Sequence, residues 1–178
     1  MPLRTETYTF TDEIDRLEQR CQEIADEVVD LPDDDPRKQE RLAEGQQLDA
    51  QLAGVRWAQR GHADSDVPAW DRDVDAVTLG GLTGGEFGRV EDDVTEDDVG
   101  GGGTRVYLVE AGTVDAPYLG GGMAEPDRIA AVASLPLPYL KWAEARINAL
   151  TGTSDEGNGQ RFGDMLAAKR RSTTSTDN

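Results

Sequence analysis

The chain has 178 residues, with 36 acidic against 18 basic side chains and a formal net charge of -18. It carries one histidine, His62, and one cysteine, Cys21, so no Cys/His zinc site, internal disulfide or Cys₂ redox pair can form within one chain. Asp supplies 22 of the acids and Lys only 3 of the bases, a balance that repels polyphosphates and fits a solvated disordered chain, a binder of basic partners or, best for the lysine scarcity, a surface hydrated in molar salt.

Residues 1–10 read as an N-terminal segment without the apolar core of a secretory signal. Thr11 is the expected cap of a first helix, with Asp12 and Glu13 where the helix dipole favours acids. Ile14, Leu17, Cys21, Ile24, Val28 and Leu31 then recur at heptad spacing on one narrow face. Asp35 and Pro36 restart the chain as cap and first helical residue of a second helix to about Arg60. Leu42, Leu48, Leu52 and Val55 are its inward candidates, and Gly45 interrupts it. The short connection predicts an antiparallel, coiled-coil-like hairpin over 11–60. Ile14, Leu17, Ile24 and Val28 are candidate partner-binding residues, with packing against the second helix as the alternative.

Residues 61–73 read as a linker. Within it, Asp71 and Asp73 join Asp75 in a calcium-loop-like triplet, but Ala76 and Leu82 stand where that loop needs Gly and Glu. Val74 to Leu79 predicts a short strand or an extended lead-in to a small, mainly helical domain over 74–152. Thr83 and Glu86 form a capping-box pattern ahead of Phe87, Val90 and Val94. The run Gly80 to Gly85 lacks the Gly-Lys-Ser/Thr ending of a phosphate loop, so turn plus helix cap is the simpler reading. Gly100 to Gly103 is expected to be a flexible tether. Arg105 to Val109 fits either a strand or a buried helix.

Pro126 opens a helix through Ile129, Val132 and Ala133, and Leu135-Pro136 breaks it. Pro138 opens the next, with Leu140, Ala143, Ile147 and Leu150 on one face and Gly152 as an expected left-handed cap. Trp142 and Arg146, one turn apart, are candidates for a recognition face, because such residues favour interface centres. The alternative is a core tryptophan covered by the arginine. From Thr153 to Asn178 the chain is polar apart from Phe162 to Ala168 and the basic Lys169-Arg170-Arg171, and a disordered tail is expected. The fold class is therefore mainly α: a helical hairpin, a small helical domain with at most a short β element, and a tail.

No residue pair stands out as catalytic among 36 acids, and the pattern implies neither an enzyme nor a cofactor or metal. No apolar run approaches membrane-spanning length, which implies a soluble intracellular protein that binds neither membranes nor nucleic acid directly. A carboxylate-based hydrolase would need two acids converging in one pocket.

Val77-Thr78-Leu79-Gly80-Gly81-Leu82-Thr83-Gly84-Gly85-Glu86-Phe87 resembles the opening of tail assembly chaperones of long-tailed, siphovirus-like viruses. The stretches RVYLVEAGTVDAPYL from Arg105 and DRIAAVASLPLPYLKWAEARINALTG from Asp127, with Asn148-Ala149-Leu150 near the end, are similar to their later region. The resemblance covers under half the chain, and the hairpin lies outside it. It implies a small helical protein that binds the tape-measure protein during tail assembly in the host cytoplasm, here a haloarchaeal virus or provirus. Tail-tube proteins and a second copy of the chain are the other partners considered. A structural virion component (a tail or head-tail connector protein) and a cellular coiled-coil adaptor are the alternative functions.

Overall fold

A computed structural model describes residues 4–60, 74–96 and 100–152. Strand β1 (Arg4–Thr9) leads directly into helix α1 (Phe10–Asp30), followed by α2 (Pro36–Arg60), β2 (Ala76–Gly81), α3 (Gly84–Glu96) and α4 (Gly101–Gly112). A short β3 (Thr113–Asp115), α5 (Glu125–Ala133) and α6 (Leu137–Thr151) complete the order. The linker over 61–73, with His62, Asp71 and Asp73, and the tail over 153–178 lie outside the described residues.

Within the N-terminal segment Arg4–Thr9 form a strand, which their polar composition concealed. β1 pairs antiparallel with β2, placing Tyr8 opposite Val77 and Arg4 opposite Gly81. Of β1 only Tyr8 is buried, whereas central β2 buries Val77 and Leu79. Thr7 and Thr78 share a cross-strand hydroxyl contact at 2.9 Å, a pairing that favours sheet over loop. β3 pairs with the other edge of β2, with a register shift between Thr78 and Leu79.

The helix starts follow from capping chemistry, with one displacement. Thr9, not Thr11, caps α1: its extended backbone and side-chain oxygen meet the Asp12 N–H at 3.4 Å. The displacement comes from Phe10, which turns into the core and is fully buried. At α2, the Asp35 carboxylate accepts from the Arg37 N–H at 2.9 Å, and Pro36 takes the first helical position as expected. Thr83 and Glu86 form the reciprocal box, each side chain accepting from the other's backbone N–H at 2.8 and 3.2 Å.

Two expectations for the second half need correction. Gly101 to Gly103 are the first turn of α4 rather than a tether, with the Gly103 N–H bonded to the Gly100 carbonyl at 2.7 Å. Leu108 and Val109 are buried on the same helix, so core burial outweighs the poor helix propensity of glycine. That also settles Arg105 to Val109 as helix. Gly152 does not adopt the left-handed conformation, having φ -59° and ψ 116°, although its N–H still caps the Asn148 carbonyl at 2.9 Å.

Helix α6 is the centre of the core. It buries Tyr139, Leu140, Trp142, Ala143, Ile147 and Leu150, the stripe expected from its sequence plus two aromatics. It packs on α2, α4 and β2. Three glycines permit this approach: a Cβ at Gly54 would run into the backbone of Pro138 and Tyr139, one at Gly81 into the backbone of Leu150, and one at Gly112 into the Ile147 side chain. Each end of α6 is thus seated on a backbone without a side chain.

Candidate interaction surface

The hairpin is antiparallel, as cross-helix contacts show. Gln59 reaches Thr11 at 3.1 Å, Arg56 meets Glu18 at 2.6 Å, and Arg20 meets Glu44 at 2.8 Å. Its burial is uneven along its length. At the base, Phe10, Ile14 and Leu17 of α1 and Leu52, Val55 and Ala58 of α2 join the core, and Leu48 packs against it. Towards the tip, Ile24 stays buried while Cys21, Val28 and Leu31 are only half-buried, and Val29 is 81% exposed. Leu42, expected to point inward, is 41% exposed.

This gradient leaves an open apolar groove of about 490 Å³ between the distal turns of α1 and α2. Ile24, Val28, Val29 and Leu42 supply its apolar surface, with Cys21 and Asp49 at one end. Gly45 does not break α2. It sits over Ile24, where an added Cβ would lie 3.5 Å from the Ile24 side chain. Arg41 lines the groove and is held by Glu27 at 2.9 Å and Glu44 at 2.5 Å, so its charge is matched within the hairpin. Burial and the nearby Asp49 carboxylate push the Cys21 thiol above its usual value.

The other candidate partner residues are occupied internally. Ile14, Leu17 and Ile24 are buried in the chain, and Trp142 is fully so. Trp142 and Arg146 do not form a recognition face, because both point at Glu13. Glu13, 5% exposed, receives the Trp142 indole N–H and the Arg146 Nε–H on Oε2, each at 2.8 Å. Arg16 adds two more hydrogen bonds to the same carboxylate at 2.9 and 3.2 Å. Tyr8 lies edge-on to Trp142, with ring centroids 5.9 Å apart, and under the Arg146 guanidinium. Desolvation, then Glu6, raises the Tyr8 phenol well above its usual range. Sequence spacing paired Trp142 with Arg146, but their shared partner lies 129 and 133 residues away and left no local signal.

The second buried acid, Glu110 on α4, receives the Arg128 guanidinium at 2.5 Å. Near it, Tyr139 donates to Tyr118 at 3.4 Å, and Tyr118 shares a hydroxyl contact with Thr113 at 3.2 Å. Desolvation raises both phenols. Glu110 and Arg128 tie α4 to α5 and line an open pocket of about 310 Å³ with Arg89, Met123 and Glu125, whereas Tyr118 and Tyr139 are enclosed in the core.

Of the residues singled out for partner contact, Val28 remains accessible, and Val29 and Leu42 join it. No described helix is long and apolar enough to cross a membrane. Comparison of the chain with protein-family models, curated proteins and solved structures found no match.

Proposed function

We propose that the chain is a non-enzymatic helix-capturing factor, of the tail-assembly-chaperone type that its 74–152 sequence resembles, working in a high-salt host. Its ligand is an apolar edge of an amphipathic helix, and in the viral setting that helix belongs to the tape-measure protein. The observation that carries the reading is the open groove at the hairpin tip, where Val29 and Leu42 face solvent beside Ile24 and Val28. Burying such side chains contributes about 25 cal/mol per Å². That scale allows capture without commitment, as a chaperone needs. The capture surface is assigned to the hairpin, where exposed apolar side chains share one groove; in 74–152 the exposed Phe87, Val114 and Leu137 are spread over α3, β3 and α6.

Charge defines the ligand further. Residues 10–60 carry fourteen acids and seven bases. Arg16, Arg20, Arg37, Lys38, Arg41 and Arg56 are each paired to an acid of the same hairpin. The uncompensated charge is acidic, so a helix with basic flanks fits and one with acidic flanks is repelled. At molar salt the Debye length falls to about 3 Å, so these charges select at contact while apolar burial supplies the affinity.

The non-enzymatic part rests on the two buried carboxylates. Glu13 and Glu110 are both engaged by guanidinium groups, the reverse of the apolar setting that keeps a general-acid carboxyl protonated.

A pull-down in molar KCl of a tape-measure protein, sought among the products of the neighbouring genes, tests the reading. Retention by the wild-type chain and loss with Leu42→Asp supports it. Mass spectrometry of purified virions is the companion measurement: a chaperone is absent from mature particles, and stoichiometric presence would establish the structural alternative instead.

A further inference from the structure

The hairpin groove and the C-terminal sequence are complementary in three respects. The first is apolar pattern: Phe162, Met165 and Leu166 fall at i, i+3 and i+4, one face of a helix, within an otherwise polar stretch from Thr153. The second is charge. Residues 161–171 hold four bases (Arg161, Lys169, Arg170, Arg171) and one acid (Asp164), a net of +3 in a chain of -18. The hairpin offers the opposite excess, and Asp26, Asp30 and Asp49 make no ion pair among the described residues.

The third is reach. Gln46 of α2 lines the apolar groove on one side and, on the other, a polar cleft shared with Lys141, Glu144 and Asn148 of α6. The end of α6 and the groove are thus separated by α2, a helix about 10–12 Å across. From Gly152 to Arg161 the intervening eight residues span up to about 27 Å when extended. That is ample to pass around α2.

We propose that residues 161–171 dock in the hairpin groove of their own chain, Phe162, Met165 and Leu166 packing against Val28, Val29 and Leu42. The tail then acts as an internal stand-in for the partner helix. This rests on the groove being the helix-capture site proposed above. Tethering keeps the segment at an effective concentration in the millimolar range, so even weak contacts cover the exposed apolar surface between clients. A partner helix binds with an affinity reduced by the fraction of chains whose groove is covered, and a favourable client displaces the tail. The arrangement protects an apolar edge from self-association and discriminates against weak ligands.

The test uses the full chain and its single cysteine, Cys21, at the edge of the groove. Leu166→Cys, oxidised with oxidised glutathione in molar KCl, is compared with Ser175→Cys, a control further along the same tail. Loop length alone favours closure at the nearer site by only about twofold. The proposal predicts an intramolecular disulfide from Leu166→Cys that forms at least about tenfold faster than from Ser175→Cys, slowed about tenfold by excess Leu/Lys amphipathic helical peptide. Rates differing by twofold or less, or disulfides only between chains, would overturn it. If those rates match while the wild-type chain still binds the peptide, the tail proposal falls and the capture surface stands. If closure is preferential but the peptide neither binds nor slows it, the tail proposal stands and the capture reading falls.

Discussion

Glu13 on α1 accepts the indole N–H of Trp142 on α6 at 2.8 Å, joining the first helix to the last across 129 residues. The same carboxylate oxygen accepts from Arg146, and Arg16 completes the set. A carboxylate this well supplied with donors holds the hairpin base against the core. Removing it leaves two guanidinium groups and an indole N–H without an acceptor. Glu13→Ala should therefore cost about 3–5 kcal/mol in urea unfolding at molar KCl, and Trp142→Phe, which keeps a ring but loses the donor, about 1–3 kcal/mol. A loss under about 1 kcal/mol for Glu13→Ala would show that the node is not structural.

Glycine substitutions separate close approach from open helix. Gly54→Ala places a methyl group into the backbone of Pro138 and Tyr139, and neither can move as a flexible side chain could. A loss of about 1–3 kcal/mol or more is expected from the displaced α6. Gly85→Ala, on α3 with open space around it, should instead stabilise by about 0.5–1 kcal/mol. Urea midpoints moving in the same direction for both would contradict the seating of α6 on α2.

The titration behaviour has an alkaline and an acidic side. Desolvation raises the Tyr118 and Tyr139 phenols above their ordinary value of 10.0, so the folded chain keeps them neutral. Their contribution is intact below that value and declines as pH rises above it, because the unfolded state ionises first. Tyrosinate absorbance from these two residues should appear only with loss of the helical circular-dichroism signal. On the acid side, the Arg37 side chain holds Asp35 down to about 2, and the Thr83 N–H lowers Glu86. Both contribute stability present above the ordinary carboxylate range and lost as pH falls through their lowered values. The urea midpoint should thus fall below about pH 4, with Asp35→Asn and Glu86→Gln each flattening that descent.

Self-repulsion in a chain of -18 makes salt a stabiliser. Helical signal should rise as KCl increases into the molar range. A spectrum indifferent to KCl would contradict the high-salt setting.

The hairpin, α3, α5 and α6 were legible because periodicity and caps are local. Asp35-Pro36, Thr83 with Glu86, and Leu135-Pro136 each act within a few residues. What escaped was decided by distant partners. Arg4 to Thr9 became a strand because β2 needed an edge, and no apolar alternation announced it. Gly101 to Gly103 wound into α4 because Leu108 and Val109 were buried against the core. The heptad stripe was read correctly as a stripe, yet its function divided. Ile14 and Leu17 serve the fold, whereas Val28 opens to solvent, a difference set by where α6 and the sheet end. Leu17→Asp or Ile24→Asp would accordingly unfold the chain rather than report on partner binding alone.

The groove itself is tested most directly by fluorescence anisotropy of a labelled Leu/Lys amphipathic helical peptide in molar KCl. The titration compares the wild-type chain with Val28→Asp and Leu42→Asp, each checked for unchanged circular dichroism. The account predicts saturable binding by the wild type and a loss of at least about tenfold in affinity for either variant, equivalent to about 1.4 kcal/mol. Equal binding by wild type and both folded variants, or no binding by any of them, would contradict it.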